Sequence, residues 1–138
     1  MDDQSVASII VIVLLVIFSA YFSATETAFT SVNRIKIKNM AGDGNRRAER
    51  VLRLIHQYDK LLTSTLIGNN IVNITMTTVA AVLFIRLMGD IGATVSTIVI
   101  TVVVLIFGEI TPKSLAKETP EKFSMFSAPI IGFLMFVL

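Results

Sequence analysis

"IGATVSTIVITVVVLIFGEITP", residues 91–112, decides the fold class because a long apolar run in it leads directly to a carboxylate and a proline. The part from Ile91 to Ile106 contains no ionisable side chain. A helix of about 20 such residues crosses the hydrocarbon core of a bilayer, which is about 30 Å thick. The stretch therefore predicts a membrane-spanning helix that ends close to Glu109 and Pro112.

The rest of the chain has the same character, with 54% hydrophobic and 16% charged residues among 138. Apolar runs of spanning length cover about residues 6–32, 61–87 and 91–111. A fourth run, 123–138, contains Pro129 and Gly132, and we expect an interfacial, re-entrant or truncated segment there. The prediction is an all-α integral membrane domain over residues 1–138, with three transmembrane helices in the lipid bilayer.

Charge sets the expected orientation. The segment 33–60 carries an excess of basic side chains, namely Arg34, Lys36, Lys38, Arg46, Arg47, Arg50, Arg53 and Lys60. By the positive-inside rule this segment is cytoplasmic, which places the N-terminus of a multi-pass protein outside. We expect the plasma membrane as the location. The first run is too long for a signal peptide and follows Asp2 and Asp3 instead of basic residues, so we interpret it as a retained helix.

Two features of the basic segment predict local structure. "RRAERVLRLIHQY", residues 46–58, places apolar residues on one helical side opposite arginines, which suits a helix along the cytoplasmic membrane surface. "AGDGN", residues 41–45, predicts a turn before it.

Several classes of function find no support. There is no cysteine and a single histidine, so a metal site would be built from oxygen. No Ser/His, paired-Asp or zinc-protease arrangement is present, and we do not expect an enzyme. The basic residues accompany no nucleic-acid motif, and we expect no nucleic-acid partner.

Polar residues inside the predicted spans are the candidates for function, because an acidic group near the bilayer centre costs about 3 kcal/mol. Pro112 has no N–H, so in an α-helix the carbonyl of Gly108 loses its partner beside Glu109. That predicts a helix break with a free backbone oxygen next to a carboxylate. The alternative is that the span ends here, with Glu109 at headgroup level and Pro112 as a stop signal.

The first span carries Ser19, Ser23, Glu26 and Thr30 on one helical side. Their oxygens suit a hard cation, whereas small serines also let helices pack closely. A third interpretation is that "SATE", residues 23–26, forms a capping box and interrupts the helix near Ser23.

The second span carries three amides, Asn69, Asn70 and Asn73, which need partners in another helix, in water or in an ion. Interhelical hydrogen bonds alone are the alternative to an ion. Thr94, Thr97 and Thr101 of the third span are expected to mediate packing. The combined oxygen set suits Mg²⁺, Ca²⁺ or Na⁺, and the residues alone do not separate these ions.

Three stretches in this order, "YFSATETAFTSVNR" (21–34), "LIGNNIVNI" (66–74) and "GEITPKSLA" (108–116), resemble the transmembrane domain of the CorC and cyclin M magnesium transporters. The resemblance implies a homodimer of three-span bundles with interfacial helices, which exports Mg²⁺ in exchange for Na⁺. It also implies a cytosolic CBS-pair module, which this chain does not contain. A membrane-anchored Mg²⁺ sensor or scaffold is the alternative function.

The resemblance further implies a ligand set for Mg²⁺. Its members are Ser19, Ser23, Asn70, Asn73, the Gly108 carbonyl and Glu109. Glu26, Asn69 and Thr101 are possible additional ligands or a Na⁺ site, Pro112 makes the helix break, and Lys113 lies at the inner mouth or extends to the membrane surface.

Overall fold

The computed structural model describes residues 3–137. Met1 and Asp2, from the N-terminus predicted to face outside, and Leu138, the last residue of the predicted C-terminal segment, lie outside the described residues. Within residues 3–137 every regular element is helical, which confirms the all-α fold class. Seven α-helices follow one another: α1 (Asp3–Ser31), α2 (Arg34–Gly42), α3 (Arg46–His56), α4 (Tyr58–Met88), α5 (Gly92–Val103), α6 (Thr111–Glu118) and α7 (Pro120–Val137). A 3₁₀ turn, Gly89–Ile91, joins α4 to α5, and a π-helical segment, Val104–Ile110, joins α5 to α6.

By length and hydropathy, two helical segments can cross a membrane, Asp3–Ser31 and Tyr58–Glu118. The second is folded back on itself, because α5 packs along α4 after the 3₁₀ turn. Gly89 has φ +76° at this turn, a conformation that favours glycine. A Cβ on Gly92 would lie 2.5 Å from the Phe84 carbonyl carbon, so only glycine allows the returning helix to come this close.

Helix α1 is continuous from Asp3 to Ser31, so the proposed interruption near Ser23 is wrong. Glu26 is exposed and does not cap a restarted helix, since the chain keeps helical geometry through this position. α1 contacts α4, the π segment, α6 and α7. The Phe22 ring lies against Gly68 of α4, where an added Cβ would be 2.5 Å from Cζ. The Tyr21 hydroxyl donates a hydrogen bond to the Ser127 carbonyl, 3.3 Å away, which ties α1 to α7.

The basic segment forms two short helices. Asn33 caps α2 by accepting from the Lys36 N–H, and Asn45 caps α3 by accepting from the N–H groups of Arg47 and Ala48. Gly44, with φ +95°, makes the turn between the helices, as the sequence predicts. The apolar side of α3 is buried and packs against α2 and α7; it consists of Ala48, Val51, Leu54 and Ile55.

The C-terminal segment is one helix, α7, which contains Pro129 in its interior. It packs against α1, α3 and α4 and buries Ser124, Ala128, Ile131 and Met135. The position of α7 relative to the bilayer stays a prediction.

Many large apolar side chains point outward from the bundle, among them Ile10, Ile17, Phe18, Ile74, Ile98 and Phe107. In the most apolar part of α1 only 17% of the residues are buried inside the chain. A soluble monomer does not expose apolar surface of this extent. The outer faces of the helices therefore need an apolar environment, which a bilayer provides.

Candidate ion-binding site

The polar centre of the bundle is the hydroxyl of Ser19, a fully buried residue of α1. Its Oγ lies 3.1 Å from Oδ1 of Asn73 and 3.3 Å from Oδ1 of Asn69. A hydroxyl has one proton, so it donates to these two amide oxygens in turn or shares the proton between them. Two acceptor oxygens from α4 and one hydroxyl oxygen from α1 thus converge at one point.

A third chain segment reaches the same serine. A Cβ on Gly108 would lie 3.0 Å from Ser19 Oγ, so the missing side chain lets the π segment approach α1. Gly108 is buried, and its neighbour Glu109 is half-buried. α1, α4 and the π segment therefore bring hydroxyl, amide and main-chain groups together in a bundle that is otherwise apolar.

The π segment changes the expectation about Pro112. The Thr111 N–H donates to the Ile106 carbonyl, five residues back instead of four. Continued by one residue, this register places Pro112 opposite Phe107 and not opposite Gly108. The chain stays helical here, because one extra residue in the turn accommodates the proline, which becomes a buried residue of the first turn of α6. The expected break is thus a local widening of the helix.

The structure separates the predicted residues into two groups. It brings Ser19, Asn73 and Gly108 together with Asn69, and it buries Ser23 one turn further along α1. In contrast, the side chains of Asn70, Glu26 and Thr101 are exposed. The role of each residue as an ion ligand stays a prediction.

The threonines mostly satisfy their own helices. Thr101 donates to the Thr97 carbonyl at 2.6 Å, and Thr97 donates to the Ala93 carbonyl at 3.0 Å. Thr77, which continues the amide pattern of α4, donates to the Asn73 carbonyl at 2.8 Å. Such bonds leave the hydroxyl proton engaged within one helix, so these residues do not reach across to α1.

The structure places Asn69 at the polar centre, whereas the sequence predicts only a secondary role for it. The available signal is Gly68, because a glycine in a spanning helix often marks a close helix contact. The buried face of α4 contains Gly68, Val72 and Met76, and Asn69 and Asn73 flank this face. Asn70 points away from it.

Negative charge is scarce at the polar centre. Within residues 3–137 no group of three His, Cys, Asp or Glu side chains is placed to hold a metal. Glu109, which follows Gly108 in the sequence, is the carboxylate nearest to the polar centre along the chain. A cation here would meet mainly neutral oxygens, and affinity for a hard cation falls as the number of charged ligands falls.

Comparison with known proteins identifies the family of the chain. Residues 9–138 match the family model of the cyclin M transmembrane N-terminal domain. The UPF0053 inner membrane protein YfjD of Escherichia coli is 45% identical over 104 residues, 75% of this chain and 24% of that protein. A UPF0053 protein of Haemophilus influenzae is 38% identical over 126 residues, 91% of this chain and 30% of that protein.

A more distant relative is a chloroplastic DUF21 domain-containing protein of Arabidopsis thaliana, 29% identical over 130 residues, 94% of this chain and 20% of that protein. The chain therefore spans between about a fifth and a third of the length of these relatives. The family model covers nearly the whole chain, and the motifs that carry the resemblance lie in the helices that surround Ser19. The chain belongs to the cyclin M transmembrane domain family, and it is a membrane domain of that family.

Proposed function

We propose that this domain exports Mg²⁺ from the cytoplasm in exchange for Na⁺, and that the ion binds at the polar centre around Ser19. The observation that supports this proposal is the convergence of the Ser19 hydroxyl with the Asn69 and Asn73 amide oxygens, beside the glycine of the π segment. Packing alone requires no such concentration of acceptor oxygens.

The spacing of these oxygens suits a small hard cation. Mg²⁺ binds oxygens at about 2.1 Å in an octahedron, so neighbouring ligand oxygens lie about 3.0 Å apart. The Ser19 oxygen lies 3.1 Å and 3.3 Å from the two amide oxygens. An arriving ion needs the Ser19 proton to rotate away, whereas the amide oxygens already face the serine.

Weak binding is an advantage for a transported ion, which must also leave. Glu109 offers one negative charge against the two of Mg²⁺, and the other donors are neutral. Neutral hydroxyl and amide oxygens also accept Na⁺, so one site can serve both ions in alternation. This is a transport role and not an enzymatic one.

The proposed topology has three passes, formed by α1, by α4 and by α5 with the π segment. The N-terminus lies outside and the basic helices α2 and α3 lie at the cytoplasmic surface. The name of the Escherichia coli relative, an inner membrane protein, supports the proposed plasma membrane location. In a full-length protein, a cytosolic CBS-pair module is the proposed partner of this domain.

We assign a second copy of the chain to the outer half of the bundle. An apolar groove of about 670 Å³ lies there between α1, α4 and α5. Its lining includes Ile12, Val16, Leu83, Ile100 and Val103. Lipid tails are as apolar as these side chains, so the proposed homodimer would be held at this groove by close van der Waals packing of helices.

Flux in proteoliposomes tests the transport proposal. Mg²⁺-loaded vesicles that contain the chain are expected to lose Mg²⁺ faster under an inward Na⁺ gradient. Glu109→Gln removes the carboxylate and should slow this efflux at least about tenfold, since a hydrogen bond or ion contact to a charged group is worth about 1.5–3 kcal/mol. The matched control is Glu118→Gln, a carboxylate exposed at the end of α6.

Efflux that does not respond to the Na⁺ gradient would contradict the proposed exchange. Efflux unchanged by Glu109→Gln would remove Glu109 from the site. Mg²⁺-dependent thermal stabilisation in detergent, without flux in vesicles, would instead favour the sensor or scaffold.

A further inference from the structure

A groove runs between α3 and α7; its α3 wall is basic, and its α7 wall is apolar except for Lys122. Two adjoining cavities of about 500 and 460 Å³ form it, and they share Arg50 and Pro129. The residues that α3 contributes are Arg47, Arg50, Arg53, Leu54 and Gln57; α7 contributes Lys122, Met125, Phe126, Ala128, Pro129 and Gly132. Low residue numbers of both helices meet at one end and high numbers at the other, so α3 and α7 run in the same direction along the groove.

The basic side chains of this groove lack acidic partners. Across residues 3–137 the structure contains one ion pair within 4 Å, between Lys36 and Glu121 at 3.9 Å, and it lies outside the groove lining. Arg47, Arg50 and Arg53 follow one another at three-residue intervals on α3, and Lys122 of α7 lines the same cavity as Arg47 and Arg50. Four cations that line one groove repel each other, and a bound anion relieves that repulsion.

Apart from Lys122, the α7 wall is apolar, and its Phe126 is 64% exposed. Ile130 and Phe133 of α7 lie outside the lining of the two cavities and are also exposed. These side chains need contact with lipid tails or with protein, whereas arginines need water or an anion. The apolar side of α3 is buried within the bundle, and its arginines point into the groove. They therefore lie beside the exposed apolar side chains of α7.

We propose that this groove binds the phosphate headgroup of an anionic lipid, with Arg50 at its centre and the acyl chains along α7. Arginine recognises phosphate through paired N–H donors, and basic pockets between membrane helices hold anionic headgroups. A free phosphate would satisfy the arginines but leave Phe126 uncovered. A lipid satisfies both walls at once.

Native mass spectrometry of the purified chain in detergent tests this assignment, with phosphatidylglycerol and phosphatidylcholine of identical acyl chains as the probes. Phosphatidylglycerol should bind preferentially, and Arg50→Gln should weaken its binding about fivefold, the effect of one basic residue near a membrane surface. Arg46→Gln is the matched control, because Arg46 is exposed on the same helix and lines neither cavity. Its affinity for phosphatidylglycerol should stay within about twofold of the original.

The two walls can be tested separately. Phe126→Ala should weaken phosphatidylglycerol binding and leave any binding of inorganic phosphate unchanged. Should Arg50→Gln lower the folded yield, Lys122→Gln tests the same groove from α7 and should give a similar loss.

Three results would overturn the proposal. Equal binding of both lipids would mean apolar contact alone. An equal loss in Arg46→Gln and Arg50→Gln would mean diffuse attraction to the basic surface. Displacement of phosphatidylglycerol by inorganic phosphate, at matched ionic strength, would identify a site for a soluble anion.

Discussion

Gly92 and Gly108 both bring helical segments into close contact, and the two glycines meet different groups. At the hairpin between α4 and α5, a Cβ on Gly92 would lie 2.5 Å from the Phe84 carbonyl carbon and 2.6 Å from the Ile85 nitrogen. At the polar centre, a Cβ on Gly108 would lie 3.0 Å from the Ser19 hydroxyl oxygen. The first contact is filled by main chain, which cannot move aside.

The second contact ends on a side chain that has other partners. The Ser19 hydroxyl can rotate between Asn69, Asn73 and a new group, at little cost in backbone geometry. The comparison shows that a close glycine contact serves packing where it meets backbone and can serve binding where it meets a polar side chain.

The largest expected effect on stability comes from Gly92→Ala. The added methyl group overlaps the Phe84 backbone, so one helix must shift, and we expect a loss of about 3 kcal/mol in the free energy of unfolding. Thermal unfolding in detergent measures the change. Gly42→Ala is the control, because nothing lies within 4 Å of an added Cβ there. Equal melting temperatures for the two variants would contradict the packing role of Gly92.

The next effect distinguishes the amides of α4. Asn73→Leu removes an oxygen that faces Ser19, and we expect Mg²⁺ efflux from proteoliposomes to fall at least about tenfold. Asn70→Leu changes an exposed amide one turn away and should leave efflux within about twofold. A larger loss for Asn70→Leu would move the site to the other side of α4.

A smaller effect comes from Gly108 and Ser19 in combination. Gly108→Ala presses a methyl group against the Ser19 oxygen, and we expect about 1 kcal/mol lower stability and slower efflux. In the double variant with Ser19→Ala that oxygen is gone, so stability should recover while efflux stays low. Single variants complete the cycle and isolate the coupling. Recovery of efflux in the double variant would show that the Ser19 oxygen is not a ligand.

The smallest effect belongs to Thr101→Val. The Thr101 hydroxyl donates within its own helix, to the Thr97 carbonyl, and its side chain is exposed. We expect stability within about 0.5 kcal/mol of the original and unchanged efflux. A tenfold loss of Na⁺-driven efflux would return Thr101 to the ion site.

The sequence predicts the helices well, because apolar length and turn residues are local signals. The turn between α2 and α3 lies at Gly44, and α4 ends at Met88, directly before Gly89. The capping-box interpretation of residues 23–26 was wrong, because that pattern also occurs inside a long helix whose backbone is already satisfied.

The side of α4 that faces α1 could not be read from its amides alone. Consecutive positions differ by about 100° around a helix, so Asn69 and Asn70 point in different directions. The contact of Phe22 with Gly68 fixes the rotation, and this contact joins residues that are distant in sequence. The sequence does not predict the π segment, for a similar reason. Pro112 lacks an N–H, but packing decides how the turn accommodates it.

The short turn between α4 and α5 also restricts how the molecule can move. Three residues join the two helices, and Gly92 rests against the backbone of Phe84, so sliding of one helix along the other would break this contact. α4 and α5 therefore behave as one rigid body near their shared end. The π segment follows the other end of α5, away from this contact. A movement that opens a path to the oxygens around Ser19 is therefore expected in α1 or in the π segment.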